Sequence, residues 1–498
     1  MTAAPPDAAL EPVAWPVLAT VAGSLLAVEL AVANRYGFHR DELYFLACAR
    51  HLSWGYVDQP PLVPAIARAV TAVFGTSLFW LRVPSAVAGA GAVLLAGLMA
   101  REMGGGRRAQ LVAAVAATTS VQCLAAFHLL STTPFDIASW AVLGWIFARL
   151  LRTADTRLWL PAGAVTGVAL LDKLNVAFLV GAFAVALVVC GSGHLLRSRW
   201  AALGAGLAIV LFSPDVVWNA THGWAQLRML AALHRENSTV AASLSFVPAQ
   251  FIVVGPVLAA LWVPGLVRLV RPGRFRAFGV AFLILAAAYA VSGAKPYYLA
   301  GAYYPLFAAG ALRAERALTV LRARIPLIVP MSVVGAVALA PLALPVLPAS
   351  ALAKGAWEGA INKDLSATVG WRSSVAQIAA VVDRLPTDQR RSVAVLTGDY
   401  GEAGAVDLYG AGYGLPHAAS GHNTYWWWGP GPAAHALTVV AVNVPAASLR
   451  AVFGTVTPAG SITTPDGVWT EERGAPMFVC TGRRLPWSEA WPRFRHYG

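Results

Sequence analysis

The chain has 498 residues, 58% of them hydrophobic and 12% charged, with a mean hydropathy of +0.61; soluble domains carry about 25% charged residues, so this composition excludes an ordinary soluble protein and points to a polytopic membrane protein. The formal net charge is +13, yet residues 351–498 hold 12 Lys and Arg against 11 Asp and Glu, while residues 1–350 hold 25 against 13. The positive excess therefore sits in the apolar part, as the positive-inside bias produces, and no nucleic-acid partner is expected.

The N-terminus, MTAAPPDAALEPVAWP, has neither a basic n-region nor an A-x-A cleavage site, so the first apolar run is expected to be a retained helix. Apolar runs that suit a bilayer crossing, about 17–25 residues each, lie near 14–33, 78–100, 109–127, 134–151, 158–172, 174–190, 201–218, 246–267, 275–292, 303–312 and 325–347. Arginines follow every second run: Arg101, Arg107 and Arg108; Arg149, Arg152 and Arg157; Arg197 and Arg199; Arg268, Arg271, Arg274 and Arg276; Arg313, Arg316, Arg322 and Arg324. These connections are expected to face the cytoplasm. Residues 34–77, the 128–133 turn, the LDKLN turn at 171–175, residues 219–245 and SGAKPYY at 292–298 then face outward. They carry carboxylates, lysines, histidines and aromatics, and could converge on one cavity.

After residue 350 the pattern changes. SVAVLTG (392–398), TVVAVNV (438–444) and MFVCTG (477–482) predict short buried strands, and SSVAQIAAVVDRL (373–385) an amphipathic helix. SGHNTYWWWGPGP (420–432) reads as a Gly/Pro/aromatic loop that either caps the cavity or docks the two parts together. The expected fold is thus a polytopic all-α membrane protein of about eleven spans (1–350) with a small C-terminal extracytoplasmic α/β domain (351–498). The four cysteines show no CxxC and no metal-ligand spacing, which argues against a disulfide framework.

The outer segments hold the chemistry. In DELYFLACARHLSWGYVDQPPL (41–62), Asp41 and Glu42 follow the first span, and a carboxylate held near apolar surface can act as a general base; the alternative is a solvated loop end with local ion pairs. YFLACARHL predicts a short helix on the membrane surface, and PPLVPAIARAV a second. Asp136, in STTPFDIASW, opens the fourth run; it is either functional, as membrane carboxylates usually are, or a partner of the helix dipole. Lys173 either snorkels or pairs with Asp172, or it offers positive charge to an anionic ligand. Lys295 lies in SGAKPYYLAGAYYPLF beside Tyr297 and Tyr298; small residues, one cation and aromatics suit a pocket for a phosphate and a sugar or lipid chain, while a tyrosine belt at the interface is the alternative. Asp58, His222 and His234 are candidates for a divalent-metal site, although no HExxH-type spacing supports one and His39, His51 and His128 read equally as polar loop residues.

DELYF…GYVDQPPL, PFD, the DK of the fifth-to-sixth turn, SPDVVWNATHGW (213–224) and SGAKPYYLAGAYYPL together resemble the bacterial protein-mannosyltransferase-like glycosyltransferases (family 39-like), the group that also holds the aminoarabinose transferases of lipid A. The resemblance covers most of residues 30–310. It implies a GT-C fold and a sugar donor carried on polyprenyl phosphate. It also implies that Asp41 is catalytic, that Asp136 is a second acidic residue needed for activity, that Lys173 and Lys295 lie near the donor phosphate, and that Tyr298 belongs to the same pocket. Asp58 falls where some relatives carry an acidic metal ligand. Gln59 stands where aminoarabinose transferases have a Lys before the Pro-Pro pair, a departure that bears on the donor and acceptor. The mechanism expected is inverting transfer from the polyprenyl-phosphate sugar to an acceptor hydroxyl on a glycan, lipid or protein, at the outer face of the cytoplasmic membrane, with Arg82 assisting the lysines and Glu42 beside the base. A lipid or solute transporter is one alternative, weakened by the absence of an inverted repeat. A non-enzymatic envelope-assembly protein is the other.

Overall fold

The computed structural model describes residues 10–237, 239–321, 327–353 and 363–497. Part of the N-terminal leader reading (residues 1–9) and Arg322 and Arg324 of the last basic connection lie outside the described residues. Among the described residues four helices are long and apolar enough to cross a membrane: Trp15–Val32, Leu78–Glu102, Thr132–Thr153 and Arg199–Thr221. The 109–127 run forms two helices, Arg107–Thr119 and Val121–His128, bent by 60°. The 246–267 run, expected to be one span, turns through 98° between Ser243–Val254 and Pro256–Val270. At that break Gly255 has φ +106°, a conformation glycine tolerates, and Pro256 cannot donate the helical hydrogen bond. Among the described residues, counting each bent pair as one span gives up to six by length and composition, beside the shorter apolar helices Leu62–Phe74, Asn175–Val189, Arg276–Ser292 and Ile328–Ala343. The 158–172 and 174–190 runs form helices of 12 and 15 residues, Trp159–Leu170 and Asn175–Val189; at 1.5 Å per residue both are shorter than a bilayer core of about 30 Å.

With little hydrophobic drive between helices in lipid, close backbone approach matters. A Cβ on Gly163 would lie 2.1 Å from the Gly204 carbonyl oxygen, and one on Gly204 2.2 Å from that of Trp159. These two glycines let Trp159–Leu170 lie directly on Arg199–Thr221.

The C-terminal part carries a five-stranded sheet. Its strands are β1 (Val393–Thr397), β2 (Ala418–Ser420), β3 (Thr438–Val442), β4 (Phe453–Ser461) and β5 (Pro476–Arg483), in the order β2-β1-β3-β5-β4. β1 runs parallel to β2 and β3, with Val395 opposite Ala418 and Val440, whereas β5 runs antiparallel to β3 and β4. The three strands expected from sequence are β1, β3 and β5. The helix expected over 373–385 is Trp371–Asp383. Edge strand β4 escapes a hydrophobic-pattern reading because it is largely exposed and contains Pro458 and Gly460.

One apolar cluster joins the two parts. Leu43, Tyr44, Phe45 and Ala47, from the Arg40–Arg50 helix, pack with Ile378, Ala403, Val406 and Tyr425. The SGHNTYWWWGPGP stretch belongs to this junction: Trp428 stacks on His51 with ring centroids 4.5 Å apart, and Trp427 meets His222 edge-on at 5.0 Å. The C-terminal part therefore roofs the helical part above the Arg40–Arg50 helix.

Candidate active site

The Arg40–Arg50 helix sets the geometry of the acidic pair. His39 Nδ1 accepts the Asp41 N–H at 3.1 Å, and Glu42 Oε2 accepts the His39 N–H at 2.8 Å, a capping box that fixes the first turn. Successive helical residues point about 100° apart, so the two carboxylates separate.

Glu42 turns inward and is 0% exposed. Its oxygens take a two-pronged ion pair from Arg82, with Nε to Oε1 and Nη2 to Oε2 both at 2.9 Å, and Oε1 also accepts the Leu130 N–H at 3.1 Å. Arg82 spends its other donors on the Ala33 carbonyl (2.9 Å), the Gly37 carbonyl (2.8 Å) and His128 Nε2 (3.2 Å). Every guanidinium N–H is thus occupied. This corrects two expectations: Arg82 has no donor left for a phosphate, and Glu42 is a brace between the first outer segment and the Leu78–Glu102 helix. A bidentate, fully hydrogen-bonded pair of this kind is the geometry in which buried charges hold one another.

Asp41 faces the other way, with its side chain 36% exposed. Oδ1 accepts the Tyr400 hydroxyl at 2.8 Å, while His39 Nδ1 lies 3.8 Å from Oδ2 and Arg40 Nε 3.8 Å from Oδ1.

The two lysines come to the same aromatic pair. Lys173 Nζ lies 4.7 Å from the Tyr298 ring centroid and 5.3 Å from that of Tyr297, and Lys295 Nζ lies 6.0 Å from that of Tyr297. These cation–π contacts stabilise two positive charges at one place, each contributing about 0.5–2 kcal/mol. The 171–174 turn is tied to the first outer segment by the Leu62 N–H, which donates to the Leu171 carbonyl at 2.8 Å. Burial pushes the Tyr297 phenol well above its ordinary range, and the charges of Asp364 and Asp41 add to that. Lys173 and Lys295, from distant stretches of sequence, thus share the Tyr297 ring, and the Asp41 charge acts on the same phenol.

Asp136 sits beside this group. Asn175 Nδ2 donates to Asp136 Oδ2 at 2.8 Å and to the Tyr298 carbonyl at 3.1 Å, while the Tyr289 hydroxyl donates to Asn175 Oδ1 at 2.6 Å. Asp172, which the sequence offered only as a partner for Lys173, is buried with neither oxygen hydrogen-bonded. The charges that act on it are those of Asp136 and Lys173. Burial and the Asp136 charge push the Asp172 carboxyl well above its ordinary range, with Lys173 opposing, a relationship visible only once the turn and the Thr132–Thr153 helix are placed together.

The remaining candidates lie on neighbouring loops. Asp58 keeps solvent access although neighbouring groups crowd its carboxyl. Its Oδ1 accepts the Tyr44 hydroxyl at 2.7 Å, and burial pushes its carboxyl up to about 6 against that hydrogen bond. Gln59 is buried; its carbonyl accepts the Tyr56 N–H at 2.9 Å and Gln226 Nε2 at 3.1 Å. Gln226 in turn donates to Asp215 Oδ1 at 2.9 Å, which locks the Pro-Pro loop to SPDVVWNATHGW. Gln59 is thus part of a loop clasp. His222 is stacked on Trp218, with centroids 4.1 Å apart, and its Nδ1 is 2.8 Å from the Trp218 carbonyl oxygen; His234 is exposed on the Ala225–Asn237 helix. Among the described residues no three His, Cys, Asp or Glu side chains are placed to hold a metal ion. Asp58, His222 and His234 are therefore not gathered into such a group.

Apolar helices that bring a carboxylate and two lysines under a small α/β roof make the architecture of a multi-pass membrane protein. Residues 58–218 match the family profile of dolichyl-phosphate-mannose-protein mannosyltransferases. The chain is 26% identical over 231 residues to the lipid A galacturonosyltransferase RgtD of Rhizobium johnstonii, a match covering 45% of this chain and 48% of that relative, so it spans about half the relative's length. The fold is that of ArnT from Cupriavidus metallidurans. The apo structure has a TM-score of 0.55 at 16% identity and covers 93% of this chain and 97% of ArnT; the undecaprenyl-phosphate-bound structure has a TM-score of 0.60, also at 16% identity, and covers 93% and 98%. The chain is similar to the protein-mannosyltransferase-like and ArnT-like glycosyltransferases, and it is built as a multi-pass membrane protein.

Proposed function

We propose that this protein is a membrane glycosyltransferase that moves a sugar from a polyprenyl-phosphate donor to an acceptor hydroxyl, with inversion, at the outer face of the cytoplasmic membrane. The observation that carries the reading is the meeting of Lys173 and Lys295 at the Tyr297 ring, on whose phenol the Asp41 charge also acts. The likeness to a fold solved with undecaprenyl phosphate supports the donor class. In this reading residues 351–498 form an extracytoplasmic domain above the cavity.

Lys173 and Lys295 hold the donor monophosphate and neutralise the charge that develops as it leaves. Asp41 takes the acceptor hydroxyl proton while that oxygen bonds to the anomeric carbon. The carbon–oxygen bond to phosphate breaks, and polyprenyl phosphate departs with the electron pair. Positioned general-base catalysis of this kind contributes about 10²–10⁴-fold. Asp136, held by Asn175, offsets the Lys173 charge when the phosphate is absent.

The test is purified protein with a panel of radiolabelled polyprenyl-phosphate sugars and membrane extract, with the labelled product identified by mass spectrometry. A donor-dependent glycosylated product is expected; label that crosses the membrane without a new covalent product would favour transport and overturn the reading.

A further inference from the structure

Tyr400 lies 359 positions from Asp41 in sequence, yet its hydroxyl donates to Asp41 Oδ1 at 2.8 Å. It is the first residue of the Tyr400–Tyr409 helix, whose start is fixed by a capping box: Asp399 Oδ1 accepts the Gly401 N–H at 2.6 Å, and Glu402 Oε2 accepts the Asp399 N–H at 3.2 Å. The phenol ring is walled in by the Tyr44 ring at 4.8 Å, the His422 ring at 4.8 Å and the Arg40 guanidinium at 6.0 Å. Behind it, His422 Nδ1 lies 3.3 Å from the Tyr400 amide and 3.2 Å from Asp399 Oδ2, and the His422 ring stacks on His496 at 4.6 Å. Burial alone would raise the Asp399 carboxyl, but the hydrogen bond and charge of His422, the Gly401 N–H and Arg40 outweigh it and hold Asp399 below its usual value. The hydroxyl is thus set by a rigid, hydrogen-bonded platform belonging wholly to the C-terminal part and the Arg40–Arg50 helix.

A hydrogen bond donated to one carboxylate oxygen fixes the rotation of the group and leaves the other oxygen as the proton acceptor. Burial and the Asp41 charge push the Tyr400 phenol well above its ordinary range, so it remains a donor at any working pH. We propose that Tyr400 is a positioning residue for the transfer reaction: the C-terminal part completes the active site by orienting the Asp41 carboxylate so that Oδ2 faces the acceptor hydroxyl. The proposal rests on Asp41 as the base. The other charged or titratable groups that face or act on this carboxylate and its partners are His39 and Arg40 on its own helix, Tyr297 after the Arg276–Ser292 helix, Asp58 in the Pro-Pro loop, Asp364, and Asp399 behind Tyr400.

The experiment compares Tyr400→Phe, which keeps the packed ring and removes only the hydroxyl, with wild type, Asp41→Asn and the double variant. Tyr400→Phe is expected to lower kcat about 10- to 100-fold, the range a hydrogen bond to a charged group supports, with donor KM little changed. In the Asp41→Asn background the same change should have no further effect on residual transfer. Wild-type kcat, a loss confined to donor KM, or full additivity with Asp41→Asn would overturn the assignment; a purely structural tyrosine would change the thermal midpoint and leave kcat at saturation unmoved. If wild type transfers no sugar, the reading under Proposed function fails, and a high-resolution structure of Tyr400→Phe decides this one: the Asp41 carboxylate is expected to leave the rotamer it holds in wild type, and an unmoved carboxylate overturns it.

Discussion

Lys173 and Lys295 meet at one ring: their ammonium groups lie 5.3 and 6.0 Å from the Tyr297 centroid, although 122 residues separate them in sequence. Two like charges gathered at an aromatic ring, on whose phenol the Asp41 charge also acts, are arranged for an anion that arrives from outside. Removing either cation should therefore weaken donor use more than turnover at saturation.

Lys173→Ala and Lys295→Ala are each expected to raise donor KM about tenfold with a smaller fall in kcat, the pattern of lost binding shared by ground and transition states. Because the two share a ring and a ligand, the double variant should deviate from additivity. Initial rates against donor concentration give both results; an unchanged donor KM in either single variant would remove that lysine from the site.

The neighbouring carboxylates should behave oppositely. Arg82→Ala leaves Glu42 buried and unpaired and is expected to destabilise by about 3–5 kcal/mol, read as a large fall in thermal midpoint in detergent. Asp41→Asn keeps a half-exposed polar group and should melt close to wild type. Equal melting of Arg82→Ala and wild type would contradict the brace.

Asp58 carries the clearest pH signature. Its folded value, raised to about 6 mainly by burial, lies above the ordinary carboxylate value of about 3.9. A raised acid binds its proton more tightly in the folded state, so its stabilising contribution is present below the unfolded value and is lost as pH rises to about 6. Between about pH 4 and 6, wild type should lose stability relative to Asp58→Asn, by an amount reduced by the solvent that reaches the carboxyl. Paired thermal midpoints across that interval check the sign.

Thr424 fastens the roof. Its hydroxyl oxygen accepts the Val57 N–H at 3.0 Å and lies 2.7 Å from the Tyr44 hydroxyl, in a fully buried position. Thr424→Val is near-isosteric and strands the buried Val57 N–H, while the Tyr44 hydroxyl keeps Asp58, an expected cost of about 1–3 kcal/mol. Limited proteolysis should then release the C-terminal part sooner than in wild type.

The apolar helices were legible because hydropathy reports burial in lipid or protein without regard to partners. The sharp turn at Gly255 was not, since a Gly-Pro step inside an apolar run also occurs in tilted or kinked helices. Lys173, Lys295 and Asp136 stood out because charges at turn ends are rare in so greasy a chain. Asp41 and Glu42 looked like one acidic pair; the helix that starts at Arg40 points one to the cavity and buries the other on Arg82. Tyr400 left a faint local signal, the Asp399-x-x-Glu402 capping pattern after a buried strand, which announces a helix start but not a contact with a residue at the other end of the chain. Long-range pairs such as Tyr400–Asp41 and Thr424–Tyr44 are set by how the roof docks, and no local pattern carries that.

The most direct measurement is single-turnover sugar transfer by wild type and Asp41→Asn, both purified, with matched melting temperatures and saturating polyprenyl-phosphate donor. The account predicts that donor binding survives while transfer by Asp41→Asn falls by about 10²-fold or more. Wild-type transfer by a folded, donor-saturated Asp41→Asn protein would contradict it.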